Sequence, residues 1–383
     1  MLTKFRLLAM AGVASLAAYA TPRVMAADGM GIGDYDTATL TDVLYAPAQN
    51  PALPGFWLQF FPNEITFDSE EIRFDAEDLN EFRLAPFVAP NVQGRVLRSQ
   101  GSTVKSFRPA YTKSKHTIDP SRTIPRRAGE GYGGTLSRQE RYDAIVADNL
   151  RRERKVTENR WDWMACRAIV DAAVTVVDED YPARTVEFGR DPRLTGVLAG
   201  AAQWSEATAN PLTDLHTFRR LSFDLAQSPI TSLIFGLDAW DAFTQSNHPD
   251  VQRLLDGLRK GNQANFNSAG LSDGSPFEYQ GQISGFNGGS KLDLYTYSNR
   301  YKASDGTFVP YLDTGVVVGV GKIIEGTRCF GAIMDIEAQM HAVPMFPKAW
   351  NEQDPSRSYT MTQSAPLMVP GRPNNTFKLK VVG

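Results

Sequence analysis

Gly270-Leu271-Ser272-Asp273-Gly274 has the spacing of a nucleophile elbow, where a serine on a tight strand-to-helix turn is raised to attack a carbonyl. Here the polar Asn262 to Ser268 precedes it and Pro276 follows, so both flanking elements are missing and a loop is expected. Gly319-x-Gly321-Lys322 resembles part of a phosphate-cradling loop, but Val316 stands where its first glycine belongs and Ile323 replaces the hydroxyl that would hold magnesium. That segment reads as a strand containing glycines. Gly29, Gly31 and Gly33 follow no strand and lead into an acidic run, which leaves a dinucleotide without its scaffold. His116, His216, His248 and His341 are far apart in sequence, with none three or four residues from another, and give no metal-ligand spacing. Glu70/Glu71 and Asp178 to Asp180 sit in acidic runs without an apolar pocket to raise a pKa, and are read as solvated. No catalytic, cofactor-binding or metal-ligating set is expected, and therefore no enzyme.

A function without chemistry shifts attention to the elements themselves. The chain has 383 residues, 42% of them hydrophobic, enough for a sizeable core in two to three domains. Cys166 and Cys329 are too few for a disulfide framework or a zinc cluster and are expected as buried thiols. The net charge of −3 conceals a pattern: residues 1–27 carry +3, 28–90 carry −10, 91–160 carry +9 and the remainder −5. An acidic segment followed at once by a basic one implies surfaces that attract each other, within a chain or between copies. Nucleic-acid binding by the basic stretch is the rival reading. At the N-terminus Lys4 and Arg6 precede an apolar run from Leu7 to Ala20, and Val24-Met25-Ala26 has the spacing of a signal-peptidase site. The run is too short to span a bilayer, so no membrane association is expected.

Residues 28–55 read as an extended arm, and Phe56-Trp57-Leu58-Gln59-Phe60-Phe61 opens an aromatic stretch. From Asn91 to Pro120 polar and apolar residues alternate around Gly101-Ser102, which predicts a two-stranded ribbon. Both its faces are polar, so it is expected to rest on something outside its own domain. Ser137 and Glu140 form a capping box, and no Pro or Gly follows until Pro182, which predicts a helix over about 137–177. A ribbon-like segment is expected over Thr185 to Trp204. Helical patterns then cover Leu212–Ala226, Ala239–Gln245 and Val251–Arg259, and strands are predicted at Thr231–Phe235, Phe277–Ile283, Leu292–Tyr297 and Val316–Gly321. The mixture predicts an α+β fold.

Three stretches carry a resemblance. Gly94-Arg95-Val96-Leu97-Arg98-Ser99-Gln100-Gly101-Ser102-Thr103, continuing through Phe107-Arg108-Pro109-Ala110-Tyr111 and Lys113-Ser114-Lys115-His116 to Pro120, is similar to the extended loop of the lambda-type capsid protein E family of tailed-phage major capsid proteins. Phe346-Pro347-Lys348-Ala349-Trp350, Asp354-Pro355-Ser356-Arg357 and Gln363-Ser364-Ala365-Pro366-Leu367-Met368 resemble its closing segment, and Phe56 to Phe61 its aromatic stretch before the loop. The resemblance implies the Hong Kong 97-like capsid fold: an N-terminal arm (28–90) after a signal-like or interior segment (1–27), an extended β-hairpin loop (91–134), and a peripheral domain with a long spine helix (135–207). An axial domain (208–345) and a C-terminal return to the peripheral domain (346–383) complete it.

The function so implied is self-assembly of pentamers and hexamers into an icosahedral shell around double-stranded DNA, in a virion assembled in the host cytoplasm. Its partners would be the chain itself, a decoration protein, a scaffold and a portal, and packaged DNA held without sequence specificity. Contacts between copies are expected from Arg95, Arg98, Lys105, Phe107, Arg108, Tyr111, Lys113 and Lys115 of the loop, meeting Glu70, Glu71, Glu77 and Asp78 of a neighbour's arm. Lys105, Lys113 and Lys115 also raise the question of a Lys–Asn isopeptide crosslink, although the lambda-type branch tends to rely on a decoration protein instead. The alternative is an exported periplasmic enzyme or binding protein with a cleaved signal peptide, favoured by residues 1–27 and opposed by the missing catalytic set. A decoration protein is a third reading, disfavoured by the long helix and extended loop.

Overall fold

The computed structural model describes residues 36–45, 55–69, 71–76, 103–125, 134, 136–178, 181–253, 277–283, 291–303 and 305–383. The first half runs α1 (Thr37–Tyr45), β1 (Asn63–Phe67), β2 (Ile72–Ala76), β3 (Thr103–Phe107), β4 (Thr112–Ile118), α2 (Arg138–Val170), β5 (Ala173–Asp178), β6 (Tyr181–Glu187) and β7 (Thr195–Val197). The second runs α3 (Pro211–Ala226), β8 (Ile230–Phe235), α4 (Leu237–Thr244), β9 (Phe277–Ile283), β10 (Leu292–Tyr297), β11 (Arg300–Lys302), β12 (Phe308–Pro310), β13 (Val316–Gly321) and β14 (Thr327–Gly331). It closes with β15 (Phe346–Gln353), β16 (Ser356–Ser364), β17 (Pro366–Val369) and β18 (Thr376–Lys380).

The long helix α2 begins where the capping box demands. The Ser137 hydroxyl accepts from the Glu140 amide (3.1 Å), and the Glu140 carboxylate accepts from the Ser137 amide (2.7 Å), so two otherwise orphaned donors are satisfied. Its 33 residues give a rod of about 50 Å at 1.5 Å per residue. The helix stops at Val170 rather than near 177. Beyond it Val174-Thr175-Val176-Val177 is a β-branched run that pairs as a hairpin, β5 with β6, in place of the expected ribbon at 185–204. The chain makes this turn without Gly or Pro because Ala172 takes a left-handed φ of 52°. Arg190 then closes the helix end: its guanidinium donates to the Ile169 and Val170 carbonyls, each at 2.9 Å. Hydrogen bonds from Arg190 to the Thr195 (2.9 Å) and Thr376 (3.3 Å) hydroxyls tie that end to β7 and the start of β18.

The largest sheet has six strands in the order β7-β18-β13-β8-β10-β9. All six residues of β13 are buried, because the sheet is covered on both faces. Val316, Val318 and Val320 join the core built on α2, whereas Val317 packs with Leu233, Phe235, Phe377 and Leu379 in a second core under α3 and α4. Strand β18, from the C-terminal stretch 346–383, pairs with β7 of the expected unit 135–207 on one side and with β13 of the expected unit 208–345 on the other. Inward Phe377 and Leu379 flanked by Lys378 and Lys380 make a short alternating strand that the composition of the tail hides. The helix expected at Val251–Arg259 lies outside the described residues beyond Arg253.

The N-terminal region is stapled to α2 at two points. Helix α1 buries Leu40 and Leu44, and its Leu44 carbonyl accepts from Arg154 at 2.8 Å. The one-turn helix Trp57–Phe60 seats its first amides on a buried carboxylate: Asp162 Oδ1 accepts from Trp57 N (2.8 Å) and Leu58 N (3.2 Å). Around it Phe56 packs against Phe277, Tyr295 and Tyr297 with ring centroids 4.9 to 5.6 Å apart. Burial pushes the Asp162 carboxyl up to about 6, against the pull of the two amides and of Lys155.

Two outcomes follow from this packing. A Cβ on Gly319 would run into the Phe377 ring, so Gly319→Ala should destabilise the subunit by roughly 1–3 kcal/mol in chemical denaturation. Because the folded-state value of Asp162 is raised, its neutral form is favoured on folding; the resulting stability is present in acid and is lost as pH rises through about 6. Asp162→Asn keeps the accepting oxygen without the charge. It should stabilise the subunit at pH 7.5 by up to about 3 kcal/mol, with the gain shrinking toward pH 4 in denaturation curves taken across that range.

Candidate functional site

Strand β4 carries the return of the loop into the body of the subunit, and its residues alternate between two faces as period 2 requires. It is the edge strand of a three-stranded sheet, β15-β16-β4, which packs against α2. The expectation that the ribbon lacks support in its own subunit is therefore corrected for residues 112–118.

The support was hidden because the inward face is polar and hydrogen-bonded rather than apolar. Glu153 stands on the buried stripe of α2 between Leu150 and Thr157, and it is fully buried. Its Oε1 receives His116 Nδ1 from β4 (3.0 Å) and the Thr360 hydroxyl from β16 (2.7 Å), while Oε2 receives the Thr362 hydroxyl (2.8 Å). One carboxylate thus joins three elements. Burial raises the Glu153 carboxyl, and the hydrogen bonds from Thr360, Thr362 and His116 pull it back. Sequence reasoning missed this residue, although a glutamate at helical spacing within the run Val146, Leu150, Thr157, Trp161 was a readable signal.

The outward face is cationic and aromatic. Lys115 Nζ lies 3.8 Å from the centroid of the Tyr359 ring and 4.9 Å from that of Trp350, and those two rings stack at 5.4 Å. The Tyr359 hydroxyl donates to Glu352 at 2.6 Å, and Arg357 pairs with Asp119 at 2.9 Å. Lys113 lies 5.2 Å from the Tyr111 ring. Tyr111 donates to Gln363 Oε1 (3.1 Å) and accepts the Met334 amide (2.9 Å), and burial pushes its hydroxyl up to about 12.

The ladder on the other side of Arg108-Pro109-Ala110-Tyr111 changes the picture of the loop. Strand β3 pairs antiparallel with β2, from Ile72 opposite Phe107 to Ala76 opposite Thr103, where an upstream strand of 91–101 was expected. Segments 72–76 and 103–107 are thus neighbours within one chain. Lys105 stands opposite Phe74 in this ladder, Phe107 is half-buried against the main core, Arg108 is exposed and Glu71 is half-buried. Glu64, also counted with the acidic arm, pairs with Arg328 of its own subunit at 3.3 Å. Glu70, Glu77, Asp78, Arg95 and Arg98 lie outside the described residues, so the structure brings together Tyr111, Lys113 and Lys115 at the loop base and places Lys105 and Phe107 on the adjoining ladder.

Gly319 and Gly321 lie in β13, backed by Phe377 and Asn375, where a phosphate could not enter. Gly270 to Gly274 is outside the described residues. Cys166 and Cys329 are free and buried, and burial raises both thiols, Cys329 to about 12. Among the described residues no group of three or more His, Cys, Asp or Glu side chains is placed to hold a metal ion, and no helix is long and apolar enough to cross a membrane.

This arrangement has known counterparts. The chain is similar to the major capsid protein of Enterobacteria phage P21, 27% identical over 335 residues that cover 84% of this chain and 92% of the relative. It is also similar to the major capsid protein of Escherichia phage lambda, 26% identical over 335 residues, covering 86% and 94%. A crystal structure of a prophage capsid protein from Escherichia coli CFT073 superimposes with a TM-score of 0.69 at 25% identity, over 91% of this chain and 99% of the other. The fold is that of phage capsid subunits, and the proteins that share it here are structural rather than enzymatic. With the family profile described as phage major capsid protein E matching residues 36–381, nearly the whole of the described fold, the chain belongs to that family of capsid proteins.

Proposed function

We infer that this chain is the shell subunit of a tailed phage, assembling with copies of itself as pentamers and hexamers of an icosahedral head around double-stranded DNA. The observation that carries the reading is the match of residues 36–381 to the capsid family, together with a fold shared over 91% of this chain with a prophage capsid protein. A loop anchored at its return strand β4 is the kind of element such a shell needs, since a loop held at its base can reach a neighbour while its own subunit stays rigid. The exported enzyme or binding protein rested on residues 1–27, which lie outside the described residues and outside the matched range.

For contacts between copies, the proposal retains Arg95, Arg98, Lys105, Arg108, Lys113 and Lys115 facing a neighbour's Glu70, Glu71, Glu77 and Asp78, with one change. Because β3 pairs with β2 of its own chain, one edge of β3 is occupied within the subunit and is not open to a neighbour. Phe107, Tyr111 and Lys115 are partly committed to their own subunit, so their contribution between copies is limited to the surface left open. Exposed ion pairs are worth about 0–1 kcal/mol each, and they act by setting register over many symmetric copies. A decoration protein, a scaffold, a portal and DNA bound without sequence preference complete the proposed partners.

Purified protein should sediment as closed particles visible by negative-stain microscopy; small species alone would overturn the shell reading. Replacing Arg95, Arg98 and Arg108 together by Glu should cut the yield of closed shells by roughly tenfold or more, since a loss of about 1 kcal/mol per contact is multiplied by symmetry. Undiminished yield would remove the charge contribution and leave the shell function standing.

A further inference from the structure

Strand β4 is held on both faces at once. From inside, His116 reaches the fully buried Glu153, which also gathers Thr360 and Thr362 of β16. From outside, Lys115 lies over the stacked Tyr359 and Trp350 rings and so spans β16 to reach β15. Directly before β4 the chain is pinned again: Ala110 is buried, Pro109 packs against Gly331, and Tyr111 is bonded to Met334 and Gln363. The ladder of β2 and β3, with Ile72 and Phe107 on the main core, is therefore joined to β4 through a segment that cannot tilt without breaking one of these contacts.

We propose that Glu153 and Lys115 are positioning residues of assembly, a clamp across β4 that fixes where the returning strand of the loop joins the subunit and, through it, how the loop is aimed at a neighbour. The proposal rests on the reading of the chain as a shell subunit. Its physical basis is the cost of a misplaced strand. If β4 tilts, the Glu153 carboxylate keeps its burial and loses its donors, and an unpaired buried charge is among the most expensive defects a core can hold. The network is thus satisfied in one placement of β4 and poorly satisfied in neighbouring ones, which is how a buried polar group confers a unique geometry. Lys115 adds a smaller restraint from the solvent side, where tilting would lift the ammonium off two ring faces. Shell curvature depends on the angle at which each projection meets the next subunit, so an unclamped base should admit several angles where the native subunit admits one.

The test uses full-length Glu153→Ala, Glu153→Gln and Lys115→Met, each measured as subunits and as assembled particles. Glu153→Ala strands three donors and should speed hydrogen exchange of the amides across Thr112–Ile118 by more than about tenfold while those of β13 stay protected. Lys115→Met removes only the cation from an exposed face and should speed the same amides by roughly fivefold without endangering the core. Glu153→Gln keeps an oxygen for His116 and Thr360 and an amide for Thr362, and should restore native exchange. Particles of Glu153→Ala and Lys115→Met should lose their single diameter and include open or irregular forms, while Glu153→Gln particles match the native ones. If Glu153→Ala fails to fold, the Lys115→Met and Glu153→Gln pair still decides. Faster exchange of β4 with particles of native diameter would overturn the proposal, and so would unchanged exchange in Lys115→Met together with uniform particles. Native protein that forms no particles would instead sink the shell reading, with the exchange measurements still reporting whether the clamp holds β4.

Discussion

The first core of this subunit is built on one rod. A helix of 33 residues is longer than any single core it can build, so its buried stripe from Tyr142 to Val170 has to be covered by segments distant in sequence: α1, the Trp57 turn, β4, β16 and β17. Apolar contact alone would let such segments slide along the rod. Two carboxylates on that stripe prevent it, because Asp162 needs the Trp57 and Leu58 amides and Glu153 needs His116, Thr360 and Thr362. A charge removed from water without donors costs several kcal/mol, so each acid admits its partners in one register. What these acids lose in raw stability, visible in the upward shift of both carboxyl groups, they return as definition of where the arm and the loop attach.

The other end of the rod is joined to the six-stranded sheet by a different device. Arg190 satisfies the terminal carbonyls of α2 and bonds hydroxyls on Thr195 and Thr376, so helix and sheet share one guanidinium. Behind it, β13 separates the two cores, and its valines alternate between them. The outcome is a stiff body with a ribbon attached at one well-defined place. A shell made of many copies needs that division of labour: contacts between copies must be weak enough for errors to dissociate, and weak contacts give one curvature only if the parts that make them are held at a fixed angle.

Charge has a more local role than its distribution along the chain implied. The switch from −10 over residues 28–90 to +9 over 91–160 looks like complementarity between copies. The ladder of β2 with β3 joins segments 72–76 and 103–107 of one chain, and Glu64 with Arg328 and Asp119 with Arg357 are ion pairs within the subunit. The two lysines of the β4 outer face likewise lie against rings of their own subunit, Lys113 by Tyr111 and Lys115 over Tyr359 and Trp350.

Local rules were legible wherever a residue's own chemistry decided the outcome. The start of α2 follows from Ser137 and Glu140, and the bounds of β9, β10 and β13 follow from strand-forming stretches set between turn-forming residues. The family could be read from dense motifs in the loop and near the C-terminus, since those stretches combine unusual residues in fixed order. The end of α2 was not legible, because without Gly or Pro the choice between helix and strand at Val174 to Val177 depends on a partner, β6, that only the folded chain supplies. The mate of β3, the place of β18 between β13 and β7, and the support under β4 share that cause: pairing is a relation between segments, and periodicity within one segment carries no information about the other. Glu153 shows the limit most sharply. On the sequence it is one acid in a charged helix, and it becomes the fixing point of the loop only when His116, 37 residues earlier, and Thr360 and Thr362, more than 200 residues later, close around it.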